Sequence, residues 1–328
     1  MKFCLNLQDR RNEMKTLVIG LGALGTVYSG LLSLAGHEVT GLSRPASRDK
    51  IKAKGVKVTG IWGEHITRLS NVVSDVSELT NEKFDMIIVT VKSFATEDIA
   101  QQIAPLVGDS TYVFLMQNGY GNFEVAAKSI PEDKLVLGRV IFGAETIVTG
   151  ESKVTVIADD VMIGSPGNLI NPEVLEEFAR IFREALIPTQ VSLEIMKYIW
   201  GKIIYNSALN SLGAIFEVSY GKLAEEPETR ELMNLMIQEI FALLRVRNIP
   251  TFWPDAQSYL TNFYAHSVPP TSAHHSSMLQ DIRSGRYTEI DALNGAVVEL
   301  AHQSGSPVPV NEVIVAMVKA KESFNYRS

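Results

Sequence analysis

Thr16-Leu17-Val18-Ile19-Gly20-Leu21-Gly22-Ala23-Leu24-Gly25 is the stretch that decides the fold. A short β-rich run, Thr16 to Ile19, leads into three glycines spaced G-x-G-x-x-G, and Val27 to Leu34 then gives an apolar stretch long enough for a helix. Each element has a separate physical use. Gly20 permits the tight turn, Gly22 lets backbone approach a pyrophosphate, and Gly25 allows the helix to pack closely on the strand. The helix start supplies unpaired N–H groups and the positive end of its dipole. The glycine spacing alone is weak evidence, whereas strand, turn and helix in sequence make a dinucleotide-binding turn, with Gly20, Gly22, Ala23, Leu24 and Gly25 as cofactor contacts.

Beyond the turn, short β-rich runs alternate with helical stretches as far as Ser192: Glu38 to Leu42, Met86 to Val91, Tyr112 to Met116, Leu135 to Ile141, Val154 to Ala158 and Thr189 to Val191. Such alternation predicts βαβ units on a parallel sheet, closed by a helix over Pro172 to Ala185 with one apolar face. After Ser192 the β pattern stops. Helices are expected over Leu193 to about Ile215, Glu228 to Arg247 and Asp255 to Tyr264, with two more before and after Gly285. Leu232 to Leu244 is apolar nearly all the way round, which predicts a helix through the middle of a bundle. The expected architecture is α/β: a Rossmann-type doubly wound parallel sheet over 14–192, followed by an all-α domain over 193–328. Residues 1–13 are polar and read as a disordered extension, with Met14 as an alternative start.

Composition narrows the function classes. Of 328 residues, 46% are apolar, so the chain can bury a sizeable core. Acidic residues outnumber basic ones 37 to 30, and no Lys/Arg block offers a footprint for phosphate backbones, which argues against nucleic acid. No apolar run reaches the roughly 18 residues a membrane span requires. The single cysteine, Cys4, excludes an internal disulfide framework and paired-thiolate zinc, and favours a reducing, cytoplasmic setting. His274-His275, His266 and His302 lack carboxylates at ligand-like spacing, so no metal site is expected.

The residue after the second strand selects the dinucleotide. An NAD site places Asp or Glu about 20 residues beyond the turn to hold the ribose 2′-hydroxyl. Here the strand ends in Ser43-Arg44-Pro45. Arg44 stands where a 2′-phosphate would sit, favouring NADP, although an arginine after a strand is also an ordinary surface residue.

Lys202, Asn206 and Asn210 fall at i, i+4 and i+8, one polar stripe on a helix otherwise flanked by Ile203, Ile204, Ala208, Leu209 and Leu212. Asparagine is a poor helix former, so the stripe either faces water or lines a cleft. A second polar set runs from Ser276 to Asp281 and resumes at Thr288, which looks like an N-cap. Ser276, Asp281 and Asp291 read as ordinary capping chemistry, while Ser277 and Glu289 stay open.

Taken together, these residues resemble the ketopantoate reductase (2-dehydropantoate 2-reductase) family, from Lys15 to about the C-terminus. The likeness rests on Gly20 to Gly25, Val91-Lys92-Ser93, Gln117-Asn118-Gly119, Trp200-Gly201-Lys202 leading into Asn206 and Asn210, and Ser276 to Asp281 leading into Thr288-Glu289-Ile290-Asp291. The resemblance implies NADPH as cofactor and ketopantoate, a branched 2-oxo acid on the route to pantothenate and coenzyme A, as substrate. It implies Lys202 as general acid and Glu289 as its carboxylate partner, with Asn206, Asn210 and Ser277 binding substrate. Asn118 would meet both nicotinamide and substrate, Lys92 would lie near the cofactor, and Arg44 would read the 2′-phosphate. Many family members carry a Pro-Gly turn and a histidine in the region spanned here by 139–159, where Glu151-Ser152 stands instead and no histidine occurs. That departure bears on which 2-oxo acid is used rather than on the cofactor.

Ketone reduction leaves developing negative charge on oxygen, so a proton donor and a fixed cation are needed there. A lysine, with an unperturbed pKa of about 10.4, supplies both near neutral pH. Two rivals fit the same residues: an NADP-dependent dehydrogenase of another 2-oxo or β-hydroxy acid, and a non-catalytic NADP-sensing protein. The latter has no use for Lys202, Asn206 and Glu289. The partners this reading allows are a small 2-oxo acid and a second copy of the chain in a homodimer, with neither nucleic acid nor membrane.

Overall fold

The computed structural model describes the backbone of residues 13–326 and side chains through Asn325, so the expectation for the N-terminal extension falls, Glu13 apart, outside the described residues. The chain groups into two compact units. The first holds residues up to Val91, Ala95–Gln117 and Phe123–Leu193; the second holds Lys92–Phe94, Asn118–Asn122 and the chain from Glu194 on.

Among the described residues, twelve strands make up the sheets of the first unit: β1 Lys15–Ile19, β2 Glu38–Leu42, β3 Val56–Gly60, β4 His65–Thr67, β5 Asn71–Val73, β6 Met86–Val89, β7 Tyr112–Leu115, β8 Leu135–Arg139, β9 Phe142–Val148, β10 Glu151–Ile157, β11 Val161–Gly164 and β12 Thr189–Val191. Eight of them form one sheet in the order β12-β11-β8-β7-β6-β1-β2-β5. Neighbours run parallel throughout except β8 with β11, where Ile163 faces Gly138 antiparallel. Strand β1 lies between β2 and β6, so the chain leaves it in one direction and later resumes on its other side, the switch point at which open parallel sheets bind ligands.

The helix α1, Ala23–Leu34, follows β1 and is buried over Gly25 to Leu32. A second sheet, of order β4-β3-β10-β9, explains why it is buried on more than one side. α1 packs against β1 and β2 and also against β3, β4, β9 and β10. A Cβ at Gly30 would come within 3.0 Å of the Val58 side chain, so a small residue there sets the approach. Tyr28 meets the rings of Phe142 and Phe182.

This second sheet is absent from the sequence expectation, as are β3, β4, β5, β9 and β11. The expected strand Leu135 to Ile141 ends at Arg139, and Phe142 begins β9. The expected Val154 to Ala158 is the latter part of β10. The segment that departs from the family pattern therefore supplies the β9–β10 hairpin, turned at Gly150 (φ 82°). Further helices of this unit are α2 Pro45–Lys54, α3 Thr96–Ile103, the short α4 Asn122–Ala126 from Phe123 on, and α5 Pro172–Glu184, whose buried Leu175, Phe178, Ile181 and Phe182 form the expected apolar face.

The second unit is helical: α6 Ile195–Phe216, α7 Tyr220–Glu225, α8 Pro227–Val246, α9 Ala256–Asn262, α10 Ser277–Arg283, α11 Asn294–Ser304 and α12 Pro309–Tyr326. α8 touches α6, α7, α9, α11 and α12 and is central, as expected. It is not buried all round, however, because Leu235 is exposed while Met233, Met236, Ile237 and Ile240 are fully covered. α9 stops at Asn262 and a π-helical turn, Phe263–Ser267, continues it. Nor does Thr288 start an α-helix. Its hydroxyl accepts from the Ile290 N–H, a 3₁₀ turn follows over Ile290–Ala292, and α11 begins only at Asn294.

No helix among the described residues is long and apolar enough to cross a membrane.

Candidate active site

The turn after β1 has the geometry its glycines require. Gly20 adopts φ 90°, and its carbonyl accepts from the Gly22 N–H at 2.8 Å and from Thr90 Oγ1 at 2.7 Å. A Cβ at Gly25 would lie 2.1 Å from Gly20 O, so only glycine closes the turn onto α1. Gly22 is the opposite case, with nothing within 4 Å of a Cβ built there. The N–H groups of Ala23, Leu24 and Gly25 open α1 and have no partner inside the helix. Arg44 is exposed at the N-cap of α2, directly after β2.

The other candidate residues belong to the second unit. α6 is buried along most of its length, which its apolar composition dictates. Trp200 is wholly covered, and a Cβ at Gly201 would sit 3.2 Å from the Trp253 ring, so this glycine admits the indole against the helix backbone. One residue later comes Lys202. The Asn206 and Asn210 side chains below it are buried, so the stripe does not face water. Asn210 Oδ1 accepts from the Tyr220 hydroxyl. The Asn206 carboxamide makes no hydrogen bond to another described residue.

Two short loops bring further groups to this unit. Lys92–Phe94 follows β6, and Asn118–Asn122 follows β7. Lys202 Nζ donates to Asn118 Oδ1 at 2.6 Å, and Asn118 Nδ2 donates to Glu289 Oε2 at 3.1 Å. The sequence expectation pairs Lys202 with Glu289; in the structure the Asn118 carboxamide links them. Its oxygen faces the ammonium and its nitrogen the carboxylate, the one amide orientation that satisfies both. The backbone carbonyl of Asn118 is held in turn by Asn122 Nδ2 at 3.1 Å. Gly119, at φ 92°, has no room for a side chain, since a Cβ would lie 2.5 Å from Ala292 O.

Lys92 is expected near the cofactor, and its ammonium is found between two carboxylates: Asp281 Oδ2 at 2.5 Å and Glu289 Oε2 at 3.5 Å. Burial lowers the Lys92 pKa, but Glu289 and Asp281 together outweigh it, so the net shift is upward and the ammonium form is favoured. Asp281, read from sequence as capping chemistry, is therefore part of the charged cluster, and Arg286 Nε reaches its other oxygen at 3.1 Å. Ser276 does cap α10, accepting from the Leu279 N–H, and Asp291 is exposed and paired with Lys319. Ser277 opens α10, half-buried. The structure thus joins Lys202, Asn118, Glu289 and Lys92 in one network, adds Asp281 and Arg286 to it, and leaves Asn206, Asn210 and Ser277 outside its hydrogen bonds.

Among the described residues no group of three or more His, Cys, Asp or Glu is arranged to hold a metal ion.

A Rossmann-type sheet with a glycine-rich turn and a helical unit bearing an ammonium–amide–carboxylate network define an oxidoreductase. Residues 16–168 match the family described as Ketopantoate reductase PanE/ApbA, and residues 194–322 match Ketopantoate reductase PanE/ApbA C terminal. The chain belongs to the ketopantoate reductase family. It is 46% identical over 318 residues to the 2-dehydropantoate 2-reductase of Aquifex aeolicus (strain VF5), covering 96% of this chain and 99% of that one. The 2-dehydropantoate 2-reductase of Pyrococcus horikoshii is 31% identical over 317 residues, 95% and 98% of the two chains. Among solved structures, a PanE/ApbA family ketopantoate reductase from Ralstonia eutropha JMP134 has a TM-score of 0.83 at 27% identity, covering 95% of this chain and 99% of that one. D-mandelate dehydrogenase, solved with NADH and anilino(oxo)acetate, reaches 0.86 at 24% identity over 95% and 99% of the chains, a likeness of fold alone.

Proposed function

We propose that this chain reduces 2-dehydropantoate (ketopantoate) to pantoate with NADPH, a step toward pantothenate and coenzyme A. The observation that carries the reading is the hydrogen-bonded run Lys202–Asn118–Glu289 in a chain 46% identical to a 2-dehydropantoate 2-reductase. On this reading residues 14–192 bind the cofactor and 193–328, with the Lys92 and Asn118 loops, bind substrate. A reductase of this kind, with Cys4 its only cysteine, works in the cytoplasm.

NADPH fits the turn as built. The open space over Gly22 admits a pyrophosphate, and Ala23, Leu24 and Gly25 offer N–H groups to it. Arg44, exposed after β2, pairs with a 2′-phosphate. When bound, the cofactor supplies the hydride for the carbonyl carbon. Lys202 gives its proton to the carbonyl oxygen as charge develops there, and Asn118 aims the ammonium by accepting one of its N–H bonds. Glu289 accepts from Asn118 and so acts by orienting that amide rather than as the acid.

Charge supports an anionic substrate. Lys92, Lys202 and Arg286 bring three positive charges, and Asp281 and Glu289 bring two negative ones, so a 2-oxo carboxylate neutralises the surplus. Asn206, whose carboxamide makes no hydrogen bond to another described residue, Asn210 and Ser277 are the remaining substrate-binding groups.

The test is NADPH oxidation with ketopantoate and a panel of 2-oxo acids, repeated with NADH. Ketopantoate with NADPH is expected to give the highest kcat/KM. A different acid at the head of the panel replaces the substrate, and no turnover at all, with tight NADPH binding, restores the sensing protein.

A further inference from the structure

The geometry points to Ser93 as a positioning residue that locks the Glu289 carboxylate, an inference resting on the reading of the site above. Ser93 follows Lys92 in a 3₁₀ turn, Ser93–Ala95. Its Oγ lies 3.1 Å from Glu289 Oε1 and 3.0 Å from the Asn118 carbonyl. A hydroxyl has one proton to give, and the ionised carboxylate is the stronger acceptor.

The two oxygens of Glu289 are then held from different directions. Oε2 takes Asn118 Nδ2 and faces the Lys92 ammonium, while Oε1 takes Ser93. With Oε2 alone engaged, the carboxylate could rotate about its terminal bond, a soft torsion. With both engaged it cannot, and the amide of Asn118 that Glu289 holds, which in turn holds Lys202, is fixed along with it. The flanking residues brace the same approach. Phe94, next to Ser93, meets the ring of Tyr287, two residues before Glu289, edge-on at 6.4 Å. Both rings are exposed, at 65% and 61%, so the Phe94–Tyr287 contact accompanies the Ser93–Glu289 bond at the surface rather than in the core.

Ser93 is remote from Glu289 in sequence by 196 positions, and its hydroxyl is chemically dispensable for the reaction as written. Its effect is accordingly on alignment. Removing a hydrogen bond to a charged group of this kind is expected to lower kcat on ketopantoate by about tenfold or more. The affinity for NADPH, measured by fluorescence titration, is expected to stay within about twofold.

The experiment compares Ser93→Ala and Ser93→Thr with the parent by steady-state kinetics on ketopantoate, thermal melting and crystallography. Ser93→Ala is expected to lose kcat with little change in melting temperature, to show the Glu289 carboxylate rotated away from Asn118, and to be largely rescued by threonine, which keeps the hydroxyl. Normal kcat in Ser93→Ala with Glu289 unmoved overturns the inference, as does an equal loss in alanine and threonine variants. The crystallographic arm decides the matter even if the parent turns over no 2-oxo acid, a result that would overturn the proposed substrate while leaving the locking of Glu289 to be judged by its orientation.

Discussion

Lys202 Nζ donates to Asn118 Oδ1 at 2.6 Å, so the ammonium of one helix is held by the amide of a loop 84 residues earlier in the chain. Because that amide also donates to Glu289, its orientation cannot reverse without losing both partners. Lys202→Ala is expected to reduce kcat by ~10² to 10⁴, the usual worth of a general acid. Asn118→Ala is expected to fall short of that loss, since it takes away one partner of the ammonium and leaves the ammonium itself in place. Steady-state kinetics on the two variants ranks them, and near-normal kcat in Lys202→Ala would transfer the proton donor to Lys92.

The two glycines of the turn are expected to separate folding from binding. Gly22→Ala introduces a methyl with nothing within 4 Å, at an unstrained φ of −79°. It should melt like the parent yet bind NADPH at least about tenfold more weakly, because the methyl occupies the path of the pyrophosphate. Gly25→Ala drives a methyl to 2.1 Å from Gly20 O and should lower the melting temperature by several degrees, about 2 kcal/mol or more. Equal melting temperatures for the two variants would contradict this division.

Arg44 should discriminate between the cofactors. Replacing it by alanine is expected to weaken NADPH by about tenfold or more while leaving NADH nearly unchanged, the signature of one lost charge-assisted contact to a 2′-phosphate. Fluorescence titration of both cofactors reads it directly.

Lys92 gives an alkaline signature. Its pKa is raised in the folded chain, with burial opposing and the Glu289 and Asp281 charges prevailing. The stability it contributes is therefore complete below the lysine's unfolded pKa of about 10.4 and disappears only as pH rises through the still higher folded value. Lys92→Met is expected to be less stable by about 2 kcal/mol at neutral pH, with Asp281 left to Arg286 alone. Melting curves of parent and variant should converge in strongly alkaline buffer, whereas a pH-independent gap would assign the loss to packing.

His37 acts in the opposite direction. Burial lowers its pKa, and its Nδ1 accepts from the Met14 N–H at 3.1 Å, a bond that only the unprotonated nitrogen can make. Its contribution is present above the unfolded value of about 6.5 and is lost as pH falls through the lower folded one. His37→Asn should flatten the acid side of the melting profile; an unchanged profile would place the acid sensitivity elsewhere.

What could be read from sequence is what local rules control. The turn at Gly20 to Gly25 declares itself because strand, glycine spacing and helix are contiguous, and the Lys202–Asn206–Asn210 stripe does so because a helix repeats every 3.6 residues. The second sheet leaves no such trace. Its strands β3 and β4 run only five and three residues, set among Gly55, Gly60 and Gly63, and become strands only by pairing across the fold. Asp281 and Ser93 were illegible as site residues for the same reason: a carboxylate in a short helix and a serine after a strand have ordinary local uses. Their special partners lie 189 and 196 positions away. The spacing of the Lys92-Ser93 and Asn118 motifs at successive strand ends was the available clue.

The route of the chain also bears on how such an enzyme can be recombined. It passes between the two units at Val91, Phe94, Gln117, Asn122 and Leu193, so the helical unit is assembled from three separate stretches of sequence. A fragment cut at Leu193 would inherit Lys202, Asp281 and Glu289 but leave behind Lys92, Ser93 and Asn118. The helical half is thus no cassette to be exchanged between relatives at the obvious seam. A chimera joined there would pair one parent's ammonium with the other parent's amide, and swaps that preserve activity must carry the two loops along with the helices.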